Sequence, residues 1–204
     1  MIKNLIFDFG DIFINLDKPA TARELEKLGI TDFTPEMVEK NQAYEKGLMN
    51  TEDFVDFYYT KFPNTTKEGL IEAWNAILLD FPTHRLEFIK QLAKDKKYHL
   101  LLLSNTNDLH ISWIQQNWGM ELYTEFVACF EQFYLSHEMN LRKPDATIYE
   151  FVVRENDLKP SETLFIDDTK ENTDSAENLG IHVWNLIPGE EDVIDLFTLK
   201  KSLF

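Results

Sequence analysis

The pattern of hydrophobic residues along the chain predicts short buried strands that alternate with helices. Apolar runs occur at residues Asn4–Phe7, His99–Leu103, Thr163–Ile166 and Ile181–Leu186. Runs of this length, each followed by polar residues and most by a helical pattern, are typical of parallel strands that are covered on both faces. The alternation therefore predicts an α/β fold with a Rossmann-like, doubly wound parallel sheet.

The stretch between the first two predicted strands has helix signals and no strand signal. Thr34-Pro35 is a typical helix start, with proline at the first helical position, and Thr65–Glu68 has the spacing of a capping box. The stretch is too long for an ordinary crossover between strands. We therefore expect an inserted helical domain at residues 17–84, with the α/β core formed by residues 1–16 and 85–204.

Composition and charge exclude several functional classes. The chain has 204 residues, of which 44% are hydrophobic, so a substantial core is expected. Its net charge of −16 disfavours nucleic acid and anionic membranes as partners, because their phosphates would be repelled. The single cysteine, Cys129, excludes a disulfide framework and is typical of a reducing compartment. We expect a soluble, cytoplasmic protein, and nothing in the sequence predicts a partner protein.

Polar residues that could take part in catalysis or binding follow three of the predicted strands. Asp8 follows the first strand, Ser104-Asn105 the second and Asp167-Asp168 the third, while Lys143 lies between the second and third strands in the segment RKPD. Each feature alone has an ordinary structural explanation as a helix cap or a turn. In an open parallel sheet, however, the carboxyl ends of the strands meet at one edge, where ligands bind. These side chains are therefore expected to share one site.

The charges of these residues predict a metal and a phosphate. Three carboxylates repel one another and need a cation, and a set of oxygen ligands suits Mg²⁺. With Mg²⁺ and Lys143 present, the site could accept a phosphate group, bound by Lys143 and by the polar groups of Ser104 and Asn105. Asp8 would then be free to attack phosphorus as a nucleophile and form an aspartyl-phosphate.

The order of these elements resembles the haloacid dehalogenase superfamily of hydrolases, with the helical insert in the place of that family's cap domain. The segments that carry the resemblance are LSNTN, RKPDATIYE and FIDDTKEN. The resemblance implies that Asp8 is the nucleophile, that Ser104 binds the phosphate and that Lys143 steadies both. It also implies that Asp167 and Asp168 bind the metal together with Asp8 and the backbone carbonyl of Gly10. The expected activity is Mg²⁺-dependent hydrolysis of a small phosphorylated metabolite.

The opening motif DFGD departs from the family pattern. Phosphatases of the family usually carry a second Asp two residues after the nucleophile, where it protonates the leaving alcohol, and this chain has Gly10 there. General acid catalysis is typically worth about 10²–10⁴-fold in rate. Asp11 is one residue too far along for a regular backbone to place it equivalently. The chain resembles a subgroup with glycine at this position, which includes sugar 1-phosphate phosphatases.

Two alternatives to a phosphatase remain open from the sequence. A 2-haloacid dehalogenase needs no proton donor for the departing halide, which Gly10 would permit, but it has no use for the acidic pair Asp167-Asp168. A catalytically weak, regulatory member of the family is the second alternative, because Asp11 adds negative charge near a phosphate site. His137, which precedes Lys143 closely, is a further residue that could reach the site.

Overall fold

The computed structural model describes all residues from 1 to 204 and contains one five-stranded sheet. Its strands are β1 (Asn4–Phe7), β2 (His99–Ser104), β3 (Gln132–Leu135), β4 (Thr163–Asp167) and β5 (His182–Asn185). They lie in the order β3-β2-β1-β4-β5, and every neighbouring pair is parallel. The predicted parallel α/β fold is thus confirmed.

The sheet is buried on both faces, which explains why its central strands are apolar throughout. In β1, Leu5 and Phe7 belong to an apolar cluster of 26 buried residues, whereas Ile6 belongs to a separate cluster of nine. Because successive side chains of a strand point to opposite faces, these two clusters are the cores on the two sides of the sheet. β3 was missed by the sequence analysis because this edge strand is short, and only Leu135 in it is buried.

The helices cover the sheet and fill the segment between β1 and β2. None of them is long and apolar enough to cross a membrane. They are α1 (Ala20–Lys27), α2 (Pro35–Glu45), α3 (Thr51–Lys61), α4 (Lys67–Asn75), α5 (Thr83–Asp95), α6 (Asp108–Trp118), α7 (Met120–Val127), α8 (Ser136–Met139), α9 (Ala146–Glu155), α10 (Lys170–Glu177) and α11 (Leu196–Leu199).

The segment between β1 and α5 contains four helices, and nine of its buried residues form an apolar cluster that also includes Leu109 of α6. The predicted start of α2 is confirmed, since the Thr34 hydroxyl accepts a hydrogen bond from the Met37 N–H. The predicted capping box is wrong by one residue: Thr66 caps α4, and the hydroxyl of Thr65 instead donates to the Phe62 carbonyl. The division into a core and a helical cap at residues 17–84 stays a prediction, which the separate cluster supports.

Candidate active site

The sheet brings the predicted site residues to one edge. Phe7 pairs with Leu102 of β2 and with Ile166 of β4, so the three strands are aligned where they end. Asp8 therefore emerges beside Ser104, the last residue of β2, and Asp167, the last residue of β4. A cleft of about 380 Å³ opens above these strand ends and is lined by Asp8 and Ser104, among others.

Lys143 is the buried cation of this cleft. Its side chain is fully buried, and its Nζ lies 2.7 Å from Oδ1 of Asp8 and 2.6 Å from Oδ2 of Asp167. Burial alone would lower the pKa of Lys143, but these two carboxylates outweigh it and raise the pKa above its ordinary value. Lys143 is consequently charged, and it holds the Asp8 carboxylate at the floor of the cleft.

Asn105 fixes the backbone of Lys143. Its side-chain Nδ2 donates to the Lys143 carbonyl over 2.8 Å, and its Oδ1 accepts from the Lys143 N–H over 2.9 Å. Both ends of the Asn105 amide are thus engaged in positioning Lys143. Direct contact of Asn105 with a substrate stays a prediction. The Ser104 hydroxyl is freer, since its only polar contact is a long one of 3.5 Å to the Asn105 carbonyl.

The two consecutive aspartates at the end of β4 have different surroundings. Asp167 is fully buried and accepts hydrogen bonds from Lys143 Nζ, from the Thr169 N–H (2.8 Å) and from Asn172 Nδ2 (3.0 and 3.1 Å). Asp168 is less buried, lines the cleft and pairs with Lys18. Asp167 is therefore saturated by protein donors, whereas Asp168 faces the space that a ligand would enter.

The carboxylates of this cleft fit a divalent cation. One oxygen from each of Asp8, Asp167 and Asp168 lies within 4.8 Å of the others. Burial, with the neighbouring carboxylates, raises the pKa of Asp8 to about 7, although Lys143 opposes this rise. Burial also raises the pKa of Asp168, even though Lys18 lies beside it. The protein's own cations thus leave the acidic group under-compensated, and a cation with a preference for oxygen ligands would correct this.

The motif after Asp8 has an unexpected local structure. Asp11, not Gly10, has the left-handed backbone, with φ of 56°. Its Oδ1 accepts the Leu16 N–H at 3.0 Å, and its Oδ2 lies 3.2 Å from Lys18 Nζ. Both oxygens of Asp11 are therefore engaged in holding the turn. A Cβ at residue 10 would lie 2.6 Å from Cδ1 of Leu16, so this leucine occupies the space beside the glycine.

Several residues of the cleft escaped the sequence analysis. Lys18 reaches the site from the start of the helical segment, and Arg142 and Asn172 also line the cleft. Lys18 had no sequence signal, whereas Arg142 is the neighbour of Lys143 and Asn172 is the last residue of the segment FIDDTKEN. His137 does not line the cleft, and its Nε2 lies 3.3 Å from Oδ1 of Asp108.

Comparison with known proteins gives a consistent result. The family model of haloacid dehalogenase-like hydrolases matches residues 6–180. Over 191 residues, the chain is 29% identical to the D-ribitol-5-phosphate phosphatase of Bacteroides thetaiotaomicron, with 90% of this chain and 91% of that protein covered.

Solved structures agree with this match. A haloacid dehalogenase family enzyme of Bacteroides thetaiotaomicron, in a magnesium complex, is 34% identical and superposes with a TM-score of 0.82, covering 96% of this chain and 98% of that one. The same enzyme in complex with magnesium and inorganic phosphate has a TM-score of 0.76 and 34% identity, covering 94% of this chain and 97% of the other. The likeness thus spans both the sheet and the helical segment.

Proposed function

We propose that this chain, which belongs to the haloacid dehalogenase-like hydrolase family, removes phosphate from small phosphorylated metabolites. Sugar phosphates and polyol phosphates are the substrate class we favour, in keeping with the name of the phosphatase relative. The observation that carries the proposal is the placement of Lys143 between Asp8 and Asp167, beside the Ser104 hydroxyl and below an open cleft.

The proposed chemistry has two steps. An oxygen of Asp8 attacks phosphorus, the bond between phosphorus and the ester oxygen breaks, and the departing alkoxide takes a proton from water because Gly10 offers none. Water then attacks the phosphorus of the aspartyl-phosphate, the bond between phosphorus and the Asp8 oxygen breaks, and the hydroxide left by the first step takes a proton from the attacking water. Hydrogen phosphate and the Asp8 carboxylate are released. In both steps Lys143 and Ser104 offset the charge of the phosphoryl oxygens, while Asn105 holds Lys143 in place.

The residues that would hold Mg²⁺ are Asp8, Asp168 and the backbone carbonyl of Gly10. Asp167, which the sequence also predicts as a ligand, already accepts hydrogen bonds at both oxygens and would contribute its negative charge beside them. When bound, the ion supplies the positive charge that lets a phosphate dianion approach three carboxylates. This assignment is supported by the proximity of the carboxylates and by the raised pKa of Asp8.

The two alternatives are less well supported. A metal-free dehalogenase has no use for the acidic group formed by Asp8, Asp167 and Asp168. Without a metal, the negative charge of this group would also repel an anionic haloacid. The regulatory alternative rests on the extra charge of Asp11, but this carboxylate is held in the turn by the Leu16 N–H and lies 3.2 Å from Lys18 Nζ, so it is not free to face a phosphate.

The test is an assay of the purified protein with 4-nitrophenyl phosphate, D-ribitol 5-phosphate and a 2-haloacid. We expect hydrolysis of the phosphate esters with Mg²⁺, none after chelation, and none by Asp8→Asn. Release of halide from the 2-haloacid without metal, or phosphatase activity that Asp8→Asn retains, would refute the proposed mechanism.

A further inference from the structure

A smaller chamber adjoins the cleft on the side of the helical segment. It has a volume of about 140 Å³ and shares Gly10, Leu16, Ser104 and Asn105 with the cleft. Six of its thirteen lining residues are hydrophobic. The chamber therefore opens beside Ser104 and Gly10 and offers space for the leaving group of a phosphate ester bound at Ser104.

Most polar side chains of the chamber are already paired within the protein. Asn105 is engaged at both ends by Lys143. Asn107 caps α6 by accepting the His110 N–H, and its Nδ2 contacts Nδ1 of His110 at 3.3 Å. His110 Nε2 lies 3.2 Å from the Trp74 carbonyl, and burial lowers the pKa of His110 to about 4. His110 is thus neutral at neutral pH, with both ring nitrogens occupied.

Glu45 is the only acidic side chain among the residues that line the chamber. It is the last residue of α2, and Nε and Nη2 of Arg142 both bind its Oε2, at 3.1 and 3.0 Å. Its Oε1 has no hydrogen-bond partner in the protein. Burial raises the pKa of Glu45 above its ordinary value, although Arg142 opposes this. Arg142, which lines the cleft, thus binds one oxygen of the carboxylate, while Oε1 is left without a donor from the protein.

We propose that Glu45 determines substrate specificity by accepting a hydrogen bond from a hydroxyl group of the leaving group. The inference rests on the proposed phosphatase function and narrows it to esters of hydroxylated carbon chains. The apolar walls contact the C–H groups of such a chain, and Glu45 receives a hydroxyl. An unsubstituted alkyl ester would leave the free oxygen of Glu45 without a donor, which makes its binding less favourable.

The experiment compares D-ribitol 5-phosphate with n-pentyl phosphate, two primary five-carbon esters that differ in their hydroxyl groups. The measured quantity is the ratio of their kcat/KM values with Mg²⁺, in the wild type and in Glu45→Ala and Glu45→Gln. Because only changes in the ratio count, the different acidity of the two leaving groups cancels. Hydrolysis of 4-nitrophenyl phosphate is measured in parallel, as a readout of the shared phosphate chemistry.

A neighbouring ion pair supplies a matched control. Lys46 follows Glu45 directly and lies 2.9 Å from Asp145, but it lines neither the chamber nor the cleft. Lys46→Met therefore removes a contact to the same loop of the core without changing the chamber. Thermal unfolding of each variant shows whether it folds.

We expect the wild type to prefer D-ribitol 5-phosphate, and Glu45→Ala to lower the ratio about 10- to 100-fold, as is typical of losing a hydrogen bond to a charged group. Glu45→Gln keeps an acceptor and should lose less, and Lys46→Met should keep the ratio. A ratio unchanged in Glu45→Ala, or equal losses on both esters, would overturn the inference while leaving the phosphatase proposal intact. A wild type that does not hydrolyse 4-nitrophenyl phosphate would overturn the phosphatase proposal itself.

Discussion

Replacing Asp8 with asparagine should stabilise the metal-free protein at neutral pH, although it removes the proposed nucleophile. The raised pKa of about 7, against 3.8 for an ordinary Asp, means that the ionised carboxylate costs free energy in the folded state. The difference of roughly three units corresponds to about 4 kcal/mol at 1.36 kcal/mol per unit. Burial is the main cause of this cost, and repulsion by Asp167 and Asp168 adds to it. Because these groups titrate together, we expect Asp8→Asn to gain about 2–4 kcal/mol. The asparagine side chain still offers an oxygen to Lys143, and Lys143 retains its ion pair with Asp167.

The effect has a defined dependence on pH. Between about pH 4 and pH 7, the folded state holds a proton on Asp8 that the unfolded state has released, so wild-type stability falls as the pH rises through this window. Asp8→Asn lacks this loss. The free energy of unfolding of Asp8→Asn should therefore exceed that of the wild type only slightly near pH 4. The difference should grow by up to about 2–3 kcal/mol between pH 5 and pH 7.5 and level off above pH 7.

Urea unfolding with a chelator at pH 5, 6 and 7.5 measures this difference. At about 2–4 °C per kcal/mol for a chain of this size, Tm should also rise by several degrees at pH 7.5. Added Mg²⁺ should narrow the gap, because it stabilises the wild type in proportion to RT ln(1 + [Mg²⁺]/Kd). Asp174→Asn, which breaks an exposed pair with Lys170, is the control and should change stability by less than about 1 kcal/mol. An Asp8→Asn protein no more stable than the wild type at pH 7.5 would refute the reasoning that these carboxylates need a cation.

Three further predictions concern neighbouring residues. Lys143→Met should destabilise the protein by about 3–5 kcal/mol in urea unfolding and abolish turnover, because it leaves Asp8 and Asp167 without their buried cation. Asp11→Asn should leave the dependence of kcat/KM on leaving-group pKa unchanged, since Asp11 holds a turn; a steeper dependence would show that Asp11 is an acid. Gly10→Asp must displace the side chain of Leu16, because its Cβ would lie 2.6 Å from Cδ1, so Gly10→Asp combined with Leu16→Ala should hydrolyse alkyl phosphates faster than the single variant, by up to about 10²–10⁴-fold. A double variant no faster than the single one would show that Leu16 is not the obstacle.

The sheet and its site were predictable because both follow from local patterns. Central strands of a parallel sheet are apolar on both faces, so β1, β2 and β4 stand out in the sequence, and their polar ends meet because the strands are aligned. β3 lies at an edge, is partly exposed and carries no such signal. The cap of α4 was misplaced because two threonines stand side by side, and only the backbone decides which hydroxyl meets the Gly69 N–H.

The remaining site residues could not be predicted because long-range packing places them. Lys18 reaches Asp168 across 150 residues of sequence, and Glu45 reaches Arg142 across 97. Neither residue lies in a motif, and each is an ordinary charged residue beside a helix end. Their roles depend on how the helical segment rests on the sheet, which the hydrophobic pattern does not determine.

The motif DFGD shows how a one-residue shift can change what a carboxylate does. Phe9 packs against Phe126 in the core, with ring centroids 5.1 Å apart, and this fixes the direction of the chain after Asp8. Asp11 then takes a left-handed conformation, which aspartate tolerates better than most residues. In that conformation its carboxylate points back to the Leu16 N–H and to Lys18. The same turn brings Leu16 against Gly10, so that a Cβ at residue 10 would meet the end of the leucine side chain. The second carboxylate of the motif is therefore an anchor for Lys18 and for the turn.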